Sequence, residues 1–465
     1  NIHWYANVDY NYMNRYFATV SLSAEANSRF GKKAGGLDLC GVAWALFPSV
    51  QLGWVMTNEK WFPKTGAINY LRLNAGFDMS GNDDISNYAA RTSLSAVRFN
   101  YNAIGLQLTN IGNDEIKWET SRKFNVGLQS FLVNNRIGVD FNFYINKTSD
   151  LLTLKTFDNP IGGINNYWTN GGELQNCGFE LTFTGKPVVS RLWNIELGAT
   201  VGHYSNEVKK LPDGDYTTSI YGDNNILTAV GKPVGLFYGY QTAGVFADDN
   251  EARSAGKDGY LYMEDNAGQR NNFVAGDVHF IDRNNDGIIN DLDKTVIGDP
   301  NPDIYGNIFA TVSFRDFTLT MGWNYSLGND VYNYQRSILN SGSTFYNQQV
   351  AEVSHWRYEG QQTAFPRLAY GDPLGNNRFS DRWIEDGSYL RLKTLNLSYK
   401  VPVPGSWTWL QGLTIWAQAE NLLTFTKYLG SDPEFSIGNG VLYQGIDCGN
   451  LAQGRSFSCG VKINL

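Results

Sequence analysis

The feature that most constrains this chain is a two-residue alternation of apolar and polar side chains, repeated in segments of about ten residues. Ile137, Val139, Phe141, Phe143 and Ile145 fall on one face of an extended strand, and Gly138, Asp140, Asn142 and Tyr144 on the other. The preceding segment sets Phe124, Val126 and Leu128 against Asn125, Gly127 and Gln129, and Asn134-Asn135 supply a tight turn. Together these predict a hairpin with one apolar face. The pattern returns at Phe179, Leu181 and Phe183, again from Trp193 to Val201, and in a tight hairpin whose turn is Arg315-Asp316. Thirteen strands are expected, near 3–12, 16–26, 45–56, 67–78, 118–131, 136–146, 175–185, 193–204, 304–314, 317–326, 388–401, 412–424 and 454–464. Short turns (13–15, 132–135, 315–316) alternate with long connections (27–44, 79–117, 147–174, 205–303, 327–387, 425–453), the asymmetry of outer-membrane barrels.

A membrane-crossing helix is not an option. The longest uncharged stretch, Leu39 to Asn58, is interrupted by Pro48, after which Val50, Leu52 and Trp54 resume the strand period. The chain therefore either is soluble or crosses a membrane as a closed β-barrel. A soluble sandwich or propeller would alternate too, but its polar face would be rich in Lys and Glu. Here that face is Asn, Thr, Gly, Gln and Ser, which suits a lumen. Charged residues are 18% of the chain, below the ~25% of soluble domains, while aromatics reach 14%. Many lie near strand ends (Tyr5, Tyr10, Tyr12, Trp193, Trp323, Tyr325, Tyr399, Trp407, Trp409), where an interfacial girdle needs them. The expected fold class is all-β, a transmembrane antiparallel β-barrel with long extracellular loops. Bacterial barrels close with even strand numbers, so thirteen strands lead us to expect a chain incomplete on its N-terminal side.

The net charge of −8 is scattered, and no stretch has the Lys/Arg density of a nucleic-acid footprint, so no nucleic-acid partner is expected. Cys40, Cys177, Cys448 and Cys459 are too dispersed for a disulfide framework or a zinc site. The opening Asn1-Ile2-His3 carries no signal segment from which export can be read.

One motif carries coordination chemistry. Within 205–303, residues 282–293 match the calcium-loop template, with Asp282, Asn284, Asp286, Ile288 (through its carbonyl), Asn290 and Asp293 at positions 1, 3, 5, 7, 9 and 12 and Gly287 at position 6. A hard cation needs six or more oxygens converging from one tightly wound segment, and this spacing supplies them. Val278 to Ile281 reads as extended, so the loop is not a paired helix–loop–helix sensor, and the expected cofactor is a structural Ca²⁺ that stiffens a long extracellular loop. The competing reading is an Asx-rich turn that uses the same side chains without metal. Catalytic residues are not expected: His3, His203, His279 and His355 are dispersed, and no nucleophile elbow or phosphate-binding loop occurs. The stretch from Ile161 to Glu173, with Tyr167-Trp168 between Gly162-Gly163 and Gly171-Gly172, reads as a mobile loop whose aromatics stack on a sugar or anchor the loop.

Several segments, in order, resemble SusC/RagA-like TonB-dependent outer-membrane transporters of the Bacteroidetes. They are Ser28-Arg29-Phe30-Gly31, residues 47–54 and 71–76, Ile116-Lys117-Trp118-Glu119-Thr120, residues 234–240, residues 276–282 running into the calcium-type loop, residues 296–303, 385–393 and 419–428, and Asp432-Pro433-Glu434. The resemblance is to the C-terminal barrel portion, over nearly the whole chain. It implies a barrel of about 22 strands, of which about 22 − 13 = 9 lie outside the thirteen read here, and a plug domain that this chain lacks. It also implies a SusD-like surface lipoprotein as lid, energy from TonB-ExbB-ExbD, and import of oligosaccharides or peptides across the outer membrane. A passive porin or adhesin, or a soluble secreted glycan-binding protein, remains as the alternative.

Overall fold

The computed structural model describes residues 1–464 except 40, 64, 101–102, 162–163, 223, 258, 265–267, 405–408, 436 and 439. The side chains of 99, 100, 103, 157–160 and 165 are likewise not described. Cys40, Gly162, Gly163 and Trp407, named above, and Leu465 lie outside the described residues. The chain divides into two compact units. The first comprises Asn1–Gly214, Ala229–Lys232 and Ala310–Arg315, and the second Asp215–Thr228, Pro233–Phe309 and Asp316–Leu465.

The first unit is an antiparallel meander of eight long strands: β1 (Ile2–Tyr12), β2 (Tyr16–Ala26), β3 (Val42–Val55), β4 (Ile68–Asn82), β5 (Glu119–Leu132), β6 (Ile137–Ser149), β7 (Glu173–Val189) and β8 (Trp193–Lys210). Strand β9 (Ile304–Phe314) is shared by the division. The second unit contributes β10 (Phe317–Leu327), β11 (Tyr389–Val401), β12 (Gly412–Thr426) and β13 (Ser456–Asn464), again neighbours in chain order. The thirteen expected strands are all present.

The register shows why alternation decides this architecture. Leu52, Ala75, Val126, Phe143 and Phe179 form one cross-strand row, and the row one residue along runs Gln51, Gly76, Asn125, Tyr144 and Gly178. A one-residue slip would exchange the two faces, so the pattern pins the pairing. The apolar face is open: Leu52 is 53% exposed and Leu197 46%. Such a face is stable only against lipid. The turn 133–135 keeps Val133, Asn134 and Asn135 at φ of 51°, 54° and 59°, and Asn tolerates that left-handed region better than most residues. At the short-turn end of the first unit Tyr10, Tyr12, Tyr16, Trp54 and Trp61 form a file of neighbouring rings 6.3 to 6.5 Å apart. There Glu59 accepts hydrogen bonds from the Tyr16 hydroxyl (2.6 Å) and the Trp54 indole (3.2 Å). Of the aromatics expected in a girdle, Tyr10 and Tyr12 stand in this file, joined by Tyr16, Trp54 and Trp61.

The structure goes beyond the expectation in two ways. Strands β7 and β8 run 17 and 18 residues, well past the 9–11 that cross a bilayer. In β8 the extension past residue 204 stays paired and still alternates in burial, with Asn206 and Val208 buried and Lys209 and Lys210 exposed. The long connections are also not bare. Ser93–Asn100 pairs with Ala103–Asn110, and Leu152–Ile161 with Ile164–Asn170. Trp168 therefore sits on a strand, packed against the buried cluster of Ile85, Ala89, Ala90 and Ile116. It is an anchor rather than a free platform for a sugar.

The same cluster explains two of the family-like motifs. Phe30 and Phe47 meet Trp118 edge-on at 5.7 and 6.3 Å, and Arg29 binds Asp83 at 2.8 Å. In the second unit the buried Arg391 pairs with Asp432, and Lys393 reaches Glu434 at 3.4 Å, which ties Asp432-Pro433-Glu434 to strand β11.

Candidate functional site

Two regions present chemistry. The first is the polar face of the first unit, where Thr19, Gln51, Arg72, Asn74, Asn125 and Asn142 line an open pocket of about 420 Å³. Arg72 lies over the Phe17 ring at 5.1 Å, and its buried Nε has no hydrogen-bond partner. The face is hydrophilic by pattern, because every second residue of neighbouring strands points to it.

The second lies in the connection 205–303, which has its own hydrophobic core. Phe246, Phe273, Val278, Phe280 and Ile289 are all 0% exposed, with Tyr240, Leu261 and Met263 around them. Gly276-Asp277 fastens this core to the connection 327–387. The buried Asp277 takes a two-pronged contact from Arg367 (2.7 and 3.2 Å), a bond from Asn376 Nδ2 (3.0 Å), and one from the Val274 amide (3.0 Å). Gly276 stands at φ +84°, where a Cβ would meet the Trp356 ring at 2.5 Å, so no other residue fits there.

Residues 282–293 hang on the same core. Val278–Phe280 is extended as expected, and Ile288–Ile289 pairs in parallel with Tyr262–Glu264. Gly287 adopts φ +83°, the sharp turn that position 6 requires. The carboxylates serve the backbone. Asp282 accepts from the amides of Asp286 (3.3 Å) and Gly287 (2.7 Å), Asn284 from Asp286 (3.0 Å), and Asp286 from Ile288 (2.8 Å). Asp293, fully buried, accepts from Arg283 and Asn290 at 2.9 Å each, while Asn290 Oδ1 accepts from Leu292 at 2.8 Å. Among the described residues no three Asp, Glu, His or Cys side chains gather as a metal-binding group. The loop backbone thus fits the calcium template, and its side chains are arranged as Asx turns.

Next to this loop, in the second unit, is a cavity of about 700 Å³. Tyr240 forms its wall, with Lys294 Nζ and the Arg378 guanidinium each 5.6 Å from the ring centre. Lys294 binds Asp291 Oδ1 at 2.9 Å, and the Tyr240 hydroxyl lies 3.4 Å from the same oxygen. Lys294 holds the Asp291 carboxyl below its ordinary range, and burial pushes the Tyr240 phenol up to about 12. Asn290 and Glu264 complete the polar lining. Sequence reading reached Asn290 through the calcium template and quoted Tyr240 within a family-like segment. It could not reach Lys294 or Arg378, which share no motif with Tyr240 and join it only through folding.

Three comparisons with known proteins agree. A family model described as TonB dependent receptor-like, beta-barrel, matches residues 2–422. The chain is 29% identical to TonB-dependent receptor P3 of Formosa agariphila, over 99% of this chain and 45% of that protein. It is 25% identical to TonB-dependent receptor SusC of Bacteroides thetaiotaomicron, over 100% of this chain and 44% of that one. Among solved structures it is similar to the RagAB peptide transporter, with a TM-score of 0.78 at 22% identity, over 99% of this chain and 47% of that chain, a likeness of fold. The chain spans a little under half the length of these relatives.

Proposed function

The chain belongs to the TonB-dependent receptor-like β-barrel family of outer-membrane proteins, and on that premise we propose that it forms part of an active nutrient importer rather than a passive pore. The observation that carries this reading is the family match over residues 2–422, on strands whose one face is open and apolar and whose other face is polar. In the complete receptor a barrel of about 22 strands encloses a plug. A SusD-like lipoprotein covers the extracellular side, and TonB-ExbB-ExbD supplies the energy that moves the plug. The cargo is an oligosaccharide or a peptide. Of the similar proteins, RagAB, which shares the fold, is named a peptide transporter, while SusC is named a TonB-dependent receptor without a cargo. The chain's part is to form wall and loops: the wall excludes lipid, and the loops meet the substrate.

A structural Ca²⁺ at Asp282, Asn284, Asp286, Ile288, Asn290 and Asp293 belongs to the same proposal. Its support is the backbone course of the loop, with Gly287 at positive φ, and a buried Asp293 that faces amides rather than a cationic side chain. The ion would stiffen the loop, and no step of import passes through it. Protease sensitivity of 205–303 that is unchanged by a calcium chelator would sink this part.

The importer reading is tested by uptake. Cells carrying the full-length receptor should accumulate labelled substrate only while TonB is present. Accumulation or ion conductance that persists without TonB would make the protein a porin.

A further inference from the structure

We propose that the short-turn rim of the first unit is a docking surface for the phosphate headgroups of anionic phospholipids, so that the wall gathers charged lipid at this end. The surface is independent of the cargo and of TonB.

Charge is spread unevenly along this unit. At the short-turn end, residues 13–15, 56–67, 133–136, 186–192 and 315–316 carry seven Lys or Arg and two Asp or Glu. At the other end, 27–44, 79–117 and 147–174 carry eight of each and balance. The chain as a whole is acidic, so the cationic excess runs against the composition.

The backbone holds these turns at one level. The Val55 amide donates to Arg15 O (2.7 Å), Val133 to Ala67 O (2.8 Å), Lys186 to Arg136 O (2.7 Å) and Arg315 to Leu192 O (2.8 Å). Successive connections are thereby laced into a continuous rim. Two of its cations are occupied: Arg15 meets Glu59 at 3.5 Å, and Lys186 meets Glu196 at 3.7 Å. Lys60, Arg136, Arg191 and Arg315 are exposed and form no ion pair among the described residues.

Each of these four stands beside apolar surface. Lys60 precedes the exposed Trp61, and Arg191 precedes the exposed Leu192 and Trp193. Arg136 follows the turn of the exposed Val133. The Arg315 guanidinium lies over the Phe314 ring at 5.5 Å, and that ring meets Trp193 at 4.4 Å. Rings at the membrane interface with cations just outside them match a phospholipid, whose phosphate sits above its acyl chains. A soluble phosphate shares the anionic chemistry but has nothing to lay against Trp61 or Trp193. Guanidinium groups suit the partner because their paired N–H donors match phosphate oxygens. Fold maintenance does not account for four exposed charges without a counter-ion.

The test places the full-length receptor in phosphatidylcholine vesicles and compares the immobilised fractions of spin-labelled phosphatidylglycerol and spin-labelled phosphatidylcholine. The expected result at low salt is a preference for phosphatidylglycerol of about fivefold for each engaged cation. High salt should abolish it, because screening shortens the reach of exposed charges. Arg136→Gln combined with Arg191→Gln should reduce the preference, whereas Lys32→Gln combined with Lys33→Gln, in the connection 27–44, should leave it intact. Equal association of the two lipids with wild type, or a preference unchanged by the Arg136 and Arg191 changes, would overturn the surface. So would a preference erased by millimolar inorganic phosphate at constant ionic strength, which would assign the rim to a soluble anion. Heat-modifiable migration checks that each variant is folded, and the salt comparison on wild type needs no variant.

Discussion

The strand wall of the first unit and the cored segment of the second, residues 233–303, are built by opposite rules. In the wall Leu52, Val126 and Leu197 are left exposed, and the strands are held by their backbone ladder. In the cored segment Phe246, Phe273, Phe280 and Ile289 are withdrawn completely, while the strands are only two to four residues long. The difference teaches that the same residue types serve two solvents. Lipid accepts an apolar face turned outward, whereas water stabilises a fold only when that face turns in.

The comparison can be broken most forcefully in the core. Phe280→Ala should remove about 4 kcal/mol from the cored segment, as large-to-small core changes do. Limited proteolysis should then cut within 233–303 while the heat-modifiable barrel band persists; a barrel that unfolds together with the segment would show that the two regions are not independent. Next comes Asp277→Ala, which leaves Arg367 and Asn376 without their shared acceptor. Stranding one partner of a buried pair costs about 3 kcal/mol, read as a lower denaturant midpoint for the same proteolytic protection.

On the wall, Val126→Arg should cost about 2–3 kcal/mol in refolding into lipid vesicles, and Asn125→Arg, one residue along on the polar face, close to nothing. Equal penalties would refute the assignment of faces. The smallest effect is a dependence on pH. Burial pushes the Glu352 carboxyl from 4.5 up to about 7, so the neutral form favours the folded loop. That contribution is complete below about 4.5 and is lost as pH rises through about 7. Protection of the connection 327–387 from protease should therefore fall between pH 5 and 8, and Glu352→Gln should flatten the profile.

The sequence was most legible where one physical rule acts on every residue. Alternation located all thirteen wall strands, because each pleat presents one side chain to lipid and the next to the polar side. It stopped short of the end of β8, where the buried position between Glu207 and the preceding exposed Ser205 is the polar Asn206 rather than an apolar residue. It failed also in the connections. Phe246 and Phe273, each just past the end of a short strand, and Phe280 within one form a single core, and no period links them. Trp168, expected in a loop as either a sugar platform or an anchor, stands on a strand as an anchor, and the packing of Ile85 and Ile116 that decides between the two has no signature in its own neighbourhood.

By itself, then, the sequence determined the membrane-wall architecture, the position of its turns and the sharp backbone turn at Gly287, because these depend on local period and spacing, while the family was legible through the resemblance of a set of segments. Only the tertiary structure decided that the long connections carry a core, that Asp277 meets Arg367 across 90 residues, and that Tyr240, Asp291, Lys294 and Arg378 converge on one cavity. Contacts of that kind come from the packing of distant segments, and packing is a property of shape that no short window of residues contains.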